Sequence, residues 1–367
     1  MDKPTIGIIT RFLEDFAPLP LQESYDNSGL LTGSAGWPCS GILVSLDCTE
    51  DVIDEAIANG CNMVVAHHPI IFSGLKRLTG SNYIERTIIK AIKNDVAIYA
   101  IHTNLDNVSL GVNRKIGEVL GLENLQILSP KKGLLKKLVT FCPTDKAEAL
   151  RNALFEAGAG AIGNYADCSF NTEGAGTFTA GAGTNPYVGQ QGQRHTEAET
   201  RIETVFSSYV ENKVLAALLA AHPYEEVAYD IYSIENKSQN IGSGMVGTLP
   251  QPVDEIVFLN QLKNTFNCGV VKYTKPLGNK VSRVAVCGGS GRFLLNDAIK
   301  AGADVFVTSD FKYHDYFDAD NRIVVADIGH YESEQFTKEL LHGILIEKFS
   351  TFGVCISKSG TNPINYL

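Results

Sequence analysis

The stretch "DEAIANGCNMVVAHHP" at 54–69 recurs as "NDAIKAGADVFVTSDF" at 296–311. Ala56, Ile57, Gly60, Val64 and Val65 of the first copy fall on Ala298, Ile299, Gly302, Phe306 and Val307 of the second. Each copy reads as a helix stopped by glycine, an apolar strand, then a polar pair: His67 and His68 in one, Ser309 and Asp310 in the other. A strand-like segment precedes each, "GILVSLDCT" and "SRVAVCGGSG", and strand–helix–strand order with a glycine stop implies parallel pairing through a right-handed crossover. A second strand follows in each half, "VAIYAIHTNLD" (96–106) and "RIVVADIGHYESE" (322–334). Chance recurrence of a short apolar pattern is the competing account. The repeat predicts an α/β fold: a duplicated parent domain with sheets flanked by helices, whose strand C-terminal ends carry the chemistry.

Between the halves the pattern changes. From about 130 to 248 the segments read strand, helix, strand, strand, helix, strand, the ferredoxin-like order, with the glycine-rich 171–193 as a hairpin or loop. A structureless loop of such length is uncommon inside one compact domain. The expected organisation is therefore a parent domain of 1–129 and 249–367 interrupted by an inserted α+β domain at 130–248.

Composition narrows the function classes. A net charge of −10 opposes non-specific nucleic-acid binding, which needs clustered Lys and Arg. Residues 1–18 lack the basic start and apolar core of a signal peptide, and no run of about 18 apolar residues occurs, so a cytoplasmic, non-membrane protein is expected. The eight cysteines are scattered without a C-x-x-C pair and read as reduced, mostly buried side chains.

Candidate metal ligands lie in three places: His67 and His68; Asp106 in "HTNLD"; and His330 with Glu334 in "GHYESE". Four positions apart on an expected helix over "HYESEQFTKELLHGILIEKF", His330 and Glu334 share a face. Singly, a histidine pair before proline is often incidental and a helical His/Glu pair often lies on the surface. Together, three histidines and two carboxylates on one sheet edge suit two metal ions with positions left for water, and favour zinc, iron or manganese over calcium or magnesium.

Other groups are ambiguous by sequence. His102 is a second partner of the site, a proton carrier or a strand-end cap. The glycines of "CGGSGRF" (287–293), with Arg292, suit either a phosphate cradle or a tight turn. Lys76, Arg77 and Lys312 follow the polar pairs, as phosphate contacts or as a solvated rim. "SYDNSGLLTG" (24–33) reads as a loop closing on a strand, and His222, Glu225 and Glu226 as local ligands or as a helix end.

In this order, "YDNSGLLTG", "VVAHHPIIF", "HTNLD", "CGGSG" and "GHYESE" resemble the Nif-three-like family, which in bacteria carries the name GTP cyclohydrolase I type 2. The insert, ending in "HPYEEVAYDIY", is similar to the CutA/PII-like domain of the longer bacterial members. The resemblance implies two divalent metal ions per subunit, held by His67, His68, Asp106, His330 and Glu334, with Glu334 as the bridge. It further implies a toroidal homohexamer and conversion of GTP and water to 7,8-dihydroneopterin triphosphate and formate. "TSD" at 308–310 departs from the glycine usual there in the family, which touches only the local turn. The expected function is a metal-dependent hydrolase of a small molecule, GTP in the form the resemblance implies. The alternatives are a dinuclear phosphoesterase or amidohydrolase, or a non-catalytic metal-binding or regulatory ring.

Overall fold

The computed structural model describes residues 3–350 and 352–367. The chain forms two compact units, Met1–Ser129 with Ile241–Leu367, and Pro130–Asn240.

In chain order the strands are β1 (Gly29–Thr32), β2 (Ile42–Ser45), β3 (Met63–Ala66), β4 (Ala97–Ala100), β5 (Glu123–Pro130), β6 (Leu135–Pro143), β7 (Ser169–Thr179) and β8 (Arg194–Ser207). There follow β9 (Tyr229–Ile234), β10 (Gly242–Asp254), β11 (Lys272–Tyr273), β12 (Lys280–Ser290), β13 (Val305–Ser309), β14 (Val324–Asp327) and β15 (Val354–Ile356).

The first unit contains the duplication. One sheet runs β1-β4-β3-β2-β15 and the other β11-β14-β13-β12-β10-β5. In each, three repeat strands pair in parallel, β2-β3-β4 and β12-β13-β14, and an antiparallel strand closes the far side, β1 on β4 and β11 on β14. Strands β2, β3 and β4 are buried along their whole length, which explains why they read as unbroken apolar runs. The crossover helix Glu50–Ala58 starts at Thr49, whose hydroxyl accepts from the Val52 amide, and turns Val52, Ile53 and Ala56 into the core with Val64. The matching Ala298 and Phe306 sit in the core of the second sheet.

The glycine stops are equivalent in detail. Gly60 and Gly302 have φ of 67° and 69°. After them Cys61 N donates to Ala56 O at 2.9 Å, and Ala303 N to Ala298 O at 3.1 Å. This is the left-handed cap that glycine adopts without the Cβ penalty of other residues. The halves differ at the second crossover, where helix Tyr83–Lys93 has as its counterpart the shorter 3₁₀ turn Tyr313–Ala319.

The second unit is an antiparallel sheet in the order β7-β8-β6-β9, with helices Ala147–Glu156 and Glu211–Ala221 between its strands. Leu138, Leu150, Leu154, Ile202, Phe206, Val214 and Leu218 form its core. The βαββαβ order and this strand arrangement are ferredoxin-like. One expectation for the insert needs correction: residues 241–248, expected in it, belong to the first unit, where β10 from Gly242 onward pairs with β12. Of the two readings of the glycine-rich 171–193, the hairpin holds: 171–179 lies in β7, which pairs antiparallel with the following strand β8 throughout. The last strand of this sheet is Tyr229–Ile234.

The cysteines form no disulfides, and among the described residues no helix is long and apolar enough to cross a membrane.

Candidate metal centre

The five candidate ligands come from two sheets, not from the one sheet edge expected: the C-terminal ends of β3 and β4 in one and of β14 in the other bring them together. His67 and His68 directly follow β3. After β4 the chain makes a single helical turn, Thr103–Asp106, with His102 as its cap; His102 O accepts from Asp106 N at 3.1 Å, and the turn carries Asp106 back toward the histidines. After β14, Gly329 at φ 94° gives the sharp entry into helix His330–Glu334. The single helix expected over 330–349 is interrupted at Gln335 and Phe336, so the His330/Glu334 pair stands on its own short helix.

Donor atoms converge in three sets: His68, His330 and Glu334; His67, Asp106 and Glu334; and His67, His68 and His102, each within 4.8 Å. Glu334 belongs to two sets through its two oxygens. Oε2 lies 2.9 Å from His68 Nε2 and 3.2 Å from His330 Nε2, while Oε1 lies 3.9 Å from His67 Nε2. His67 Nε2 is 3.7 Å from Asp106 Oδ1. Both of those atoms are buried without a hydrogen-bond partner. A buried polar atom left alone costs about 1–3 kcal/mol, so this pair marks a place built for something else.

The outer nitrogens of the imidazoles are anchored. His67 Nδ1 lies 2.8 Å from Ile101 O, His68 Nδ1 2.7 Å from Asp47 Oδ1, His330 Nδ1 2.6 Å from Asp310 Oδ2, and His102 Nδ1 2.7 Å from Asp26 Oδ1. With Nδ1–H donating outward, each ring turns its Nε2 to the interior, the arrangement that orients metal-ligating histidines. The anchors are themselves held: Thr361 Oγ1 donates to Asp47, Ser290 Oγ to Asp310, and Thr103 to Asp26 from both its amide and its hydroxyl.

Electrostatics follow from burial. Burial keeps His67 neutral, with its pKa lowered to about 3. Burial opposes charge on His68 too, but bonds to Asp47 and Glu334 outweigh it and raise the pKa to about 10. His330 is raised to about 11 by Asp310 and Glu334 against the same burial. Burial would favour neutral Glu334, yet His330 and His68 hold its carboxyl well below the usual range. Asp106 is pushed up, by burial and then by Glu334. Two protons on imidazoles therefore supply the positive charge that the buried carboxylates require.

The glycines of "CGGSG" serve this site and not a phosphate. Gly288 N donates to Asn113 Oδ1, Gly289 N to Ser333 Oγ and Gly291 N to Thr308 Oγ1, so these amides are already engaged. A Cβ on Gly289 would lie 2.5 Å from Glu334 Oε1, and φ is 59°. The glycine leaves room for the carboxylate.

Around the centre lies a cavity of about 820 Å³. Neither Lys76, Arg77, Lys312 nor Arg292 lines it. Arg292 is paired with Asp315 and Asp318. In the second unit, His222 Nε2 lies 2.9 Å from Phe141 O and its Nδ1 accepts from Tyr224 N, so both ring nitrogens are engaged; no metal-ligand cluster forms there among the described residues.

Sequence reasoning passed over Asp26, Asp47 and the role of Asp310. Asp26 stands in "SYDNSGLLTG" and Asp47 at the end of "GILVSLDCT", both visible as polar residues beside strands. Ser309, the residue at the departure in "TSD", ends β13, and the turn falls on the next residue, Asp310, at φ 59°, whose carboxylate holds His330.

Fold and site together define a duplicated α/β protein with a His–carboxylate cluster able to take metal ions. The family model described as Duf34/NIF3 (NGG1p interacting factor 3) matches residues 4–363, and the chain belongs to that family. A Halalkalibacterium halodurans protein named GTP cyclohydrolase 1 type 2 homolog is 39% identical over 364 residues, covering 98% of each chain. One of the same name from Bacillus subtilis is 38% identical over 365 residues, again 98% of each. The crystal structure of a Bacillus cereus protein related to NIF3 matches with a TM-score of 0.87 at 38% identity, over 100% of both chains.

Proposed function

We propose that this protein is a metal-dependent hydrolase whose dinuclear centre is held by His67, His68, Asp106, His330 and Glu334. The observation that carries the reading is the inward convergence of anchored imidazoles on Glu334 and Asp106, with His67 Nε2 and Asp106 Oδ1 buried and unpartnered. This donor set of nitrogen and carboxylate oxygen suits zinc, iron or manganese. Bound divalent ions supply Lewis acidity and make water acidic enough to act as a nucleophile near neutral pH.

The chain's own groups supply the remainder. His67, buried and neutral, presents Nε2 without first losing a proton. His68 and His330 would each give up a proton before Nε2 could serve as a ligand. Glu334 offers one oxygen to each half of the centre. His102, its Nδ1 fixed by Asp26, is placed to accept a proton at Nε2 during hydrolysis.

GTP cyclohydrolase chemistry, carried in the relatives' names, is one form of this activity. The other is hydrolysis of a different small molecule by the same centre, as an amidohydrolase or phosphoesterase. The cavity lining favours a substrate other than a nucleoside triphosphate, since no Lys or Arg belongs to it among the described residues. Protein loaded with manganese, zinc or iron is assayed for formate release from GTP and then against a panel of amides and phosphoesters. Turnover of any of these that is lost in Glu334→Gln and in His102→Ala supports the reading. No turnover with any metal, in protein shown to hold two ions, opposes it.

A further inference from the structure

We infer that the cavity of the metal centre selects a planar ring compound carrying no phosphate; the inference rests on the hydrolase reading above. Two observations carry it.

The first is charge. The residues lining the cavity include Glu23, Asp47, Asp106 and Glu334, and no Lys or Arg among the described residues. The ions of a loaded centre must be included in this account, since they are the largest local charges. Two divalent ions would bring four positive charges. Asp106 and Glu334 as ligands, with Asp47, Asp310 and Asp26 behind the imidazoles, bring five negative ones. The carboxylates thus outnumber the charge of the ions, and apart from those ions the lining offers a triphosphate no cation among the described residues. Nor are backbone amides free at the "CGGSG" turn, where Gly288, Gly289 and Gly291 donate to side chains of the protein itself.

The second is the aromatic lining. Tyr25, Phe72, Tyr83 and Phe293 line the cavity and are 62%, 49%, 57% and 64% exposed. Tyr25 and Phe72 lie 6.2 Å apart at 34°, and Phe72 meets His102 edge-on at 6.1 Å. Ring faces left open beside a polar centre are the features that receive a flat apolar ligand, each stacking contact adding about 0.5–1.5 kcal/mol beyond area burial. The polar side chains nearby are already committed: Thr361 to Asp47, Ser290 to Asp310, and Asn107 to Leu21 O and Glu23. Stacking together with the metal centre therefore does the recognising.

The test measures binding, apart from turnover. The full chain is loaded with zinc and its metal content verified. Purine, pyrimidine and pteridine compounds, each with and without phosphate groups, including guanosine and GTP, are titrated calorimetrically. The unphosphorylated member of the tightest pair should bind at least tenfold more strongly, and Phe72→Ala should weaken it about tenfold. Phe293→Lys, which adds a cation at an exposed position on the cavity, should improve GTP binding about tenfold, a gain that misfolding does not produce. Tighter binding of the phosphorylated member, or no binding of any ring compound to protein holding two ions, overturns the inference. Failure to hold metal instead overturns the hydrolase reading, and the elemental analysis reads that outcome separately.

Discussion

His68 and Glu334, 266 positions apart in the chain, meet with Nε2 and Oε2 2.9 Å from one another. One residue comes from the first repeat and the other from the helix after the second, so the centre exists only when both halves are folded. His330, four residues before Glu334, reaches the same oxygen at 3.2 Å. A carboxylate shared in this way is the residue whose loss is felt at every donor.

Glu334→Gln should therefore at least halve the metal retained after dialysis, as read by elemental analysis. In the metal-free protein it also removes the common partner of two protonated imidazoles. Urea unfolding should show a loss of about 1–3 kcal/mol. Retention of two ions by this variant would contradict the shared-carboxylate geometry.

Metal uptake should release protons. His68 and His330, raised to about 10 and about 11, carry protons at pH 7 that a metal must displace. Calorimetry in buffers of different ionisation enthalpy should report this release, and affinity should rise with pH between 7 and about 10. For the metal-free protein the sign is reversed. Pairs with raised imidazole pKa give stability that is complete below 6.5, the ordinary value, and is lost as pH rises toward about 10. The gap in stability between loaded and metal-free protein should widen with pH over that range.

Asp47→Asn and Asp310→Asn each keep the shape of an anchor and remove its charge. Metal affinity should fall about 10–100-fold for either, as is typical when a histidine loses its orienting carboxylate. Asp26→Asn acts on His102, outside the five proposed ligands. It should leave two ions bound and lower turnover, and competition with a chromophoric chelator separates the two outcomes.

Gly289→Ala tests the carboxylate's space. The new methyl would lie 2.5 Å from Glu334 Oε1, on a backbone of φ 59° that costs a non-glycine residue about 1–2 kcal/mol. Metal content should drop as in Glu334→Gln, with a lower melting temperature. Gly302→Ala has a similar φ of 69° but nothing within 4 Å of its Cβ. It should cost stability without loss of metal.

Much of the fold was legible because the repeat is periodic and punctuated. Gly60 and Gly302 stop their helices by a local mechanism, and Val64 and Phe306 lie on strands apolar on both faces. The five candidate ligands were legible for a related reason: they are donor residues placed where parallel strands end, and the structure brings them together. Their anchors were not. Asp26 meets His102 across 76 positions and Asp47 meets His68 across 21, distances that no local pattern encodes. The glycines of "CGGSG" were ambiguous because sequence does not say whether the space they leave is taken by a ligand or, as here, by Glu334. The glycine-rich 171–193 was ambiguous between hairpin and loop, since glycine weakens the propensity signal, and the β8 backbone pairs with 171–179 all the same.

The two donor sets sharing Glu334 should each hold a metal ion. Anomalous diffraction from crystals of the protein as purified, collected across the manganese, iron and zinc edges, tests it most directly. Two peaks are expected, one within reach of His67, Asp106 and Glu334 and one within reach of His68, His330 and Glu334. A protein without anomalous density between these residues, or with its only metal on other side chains, would contradict it.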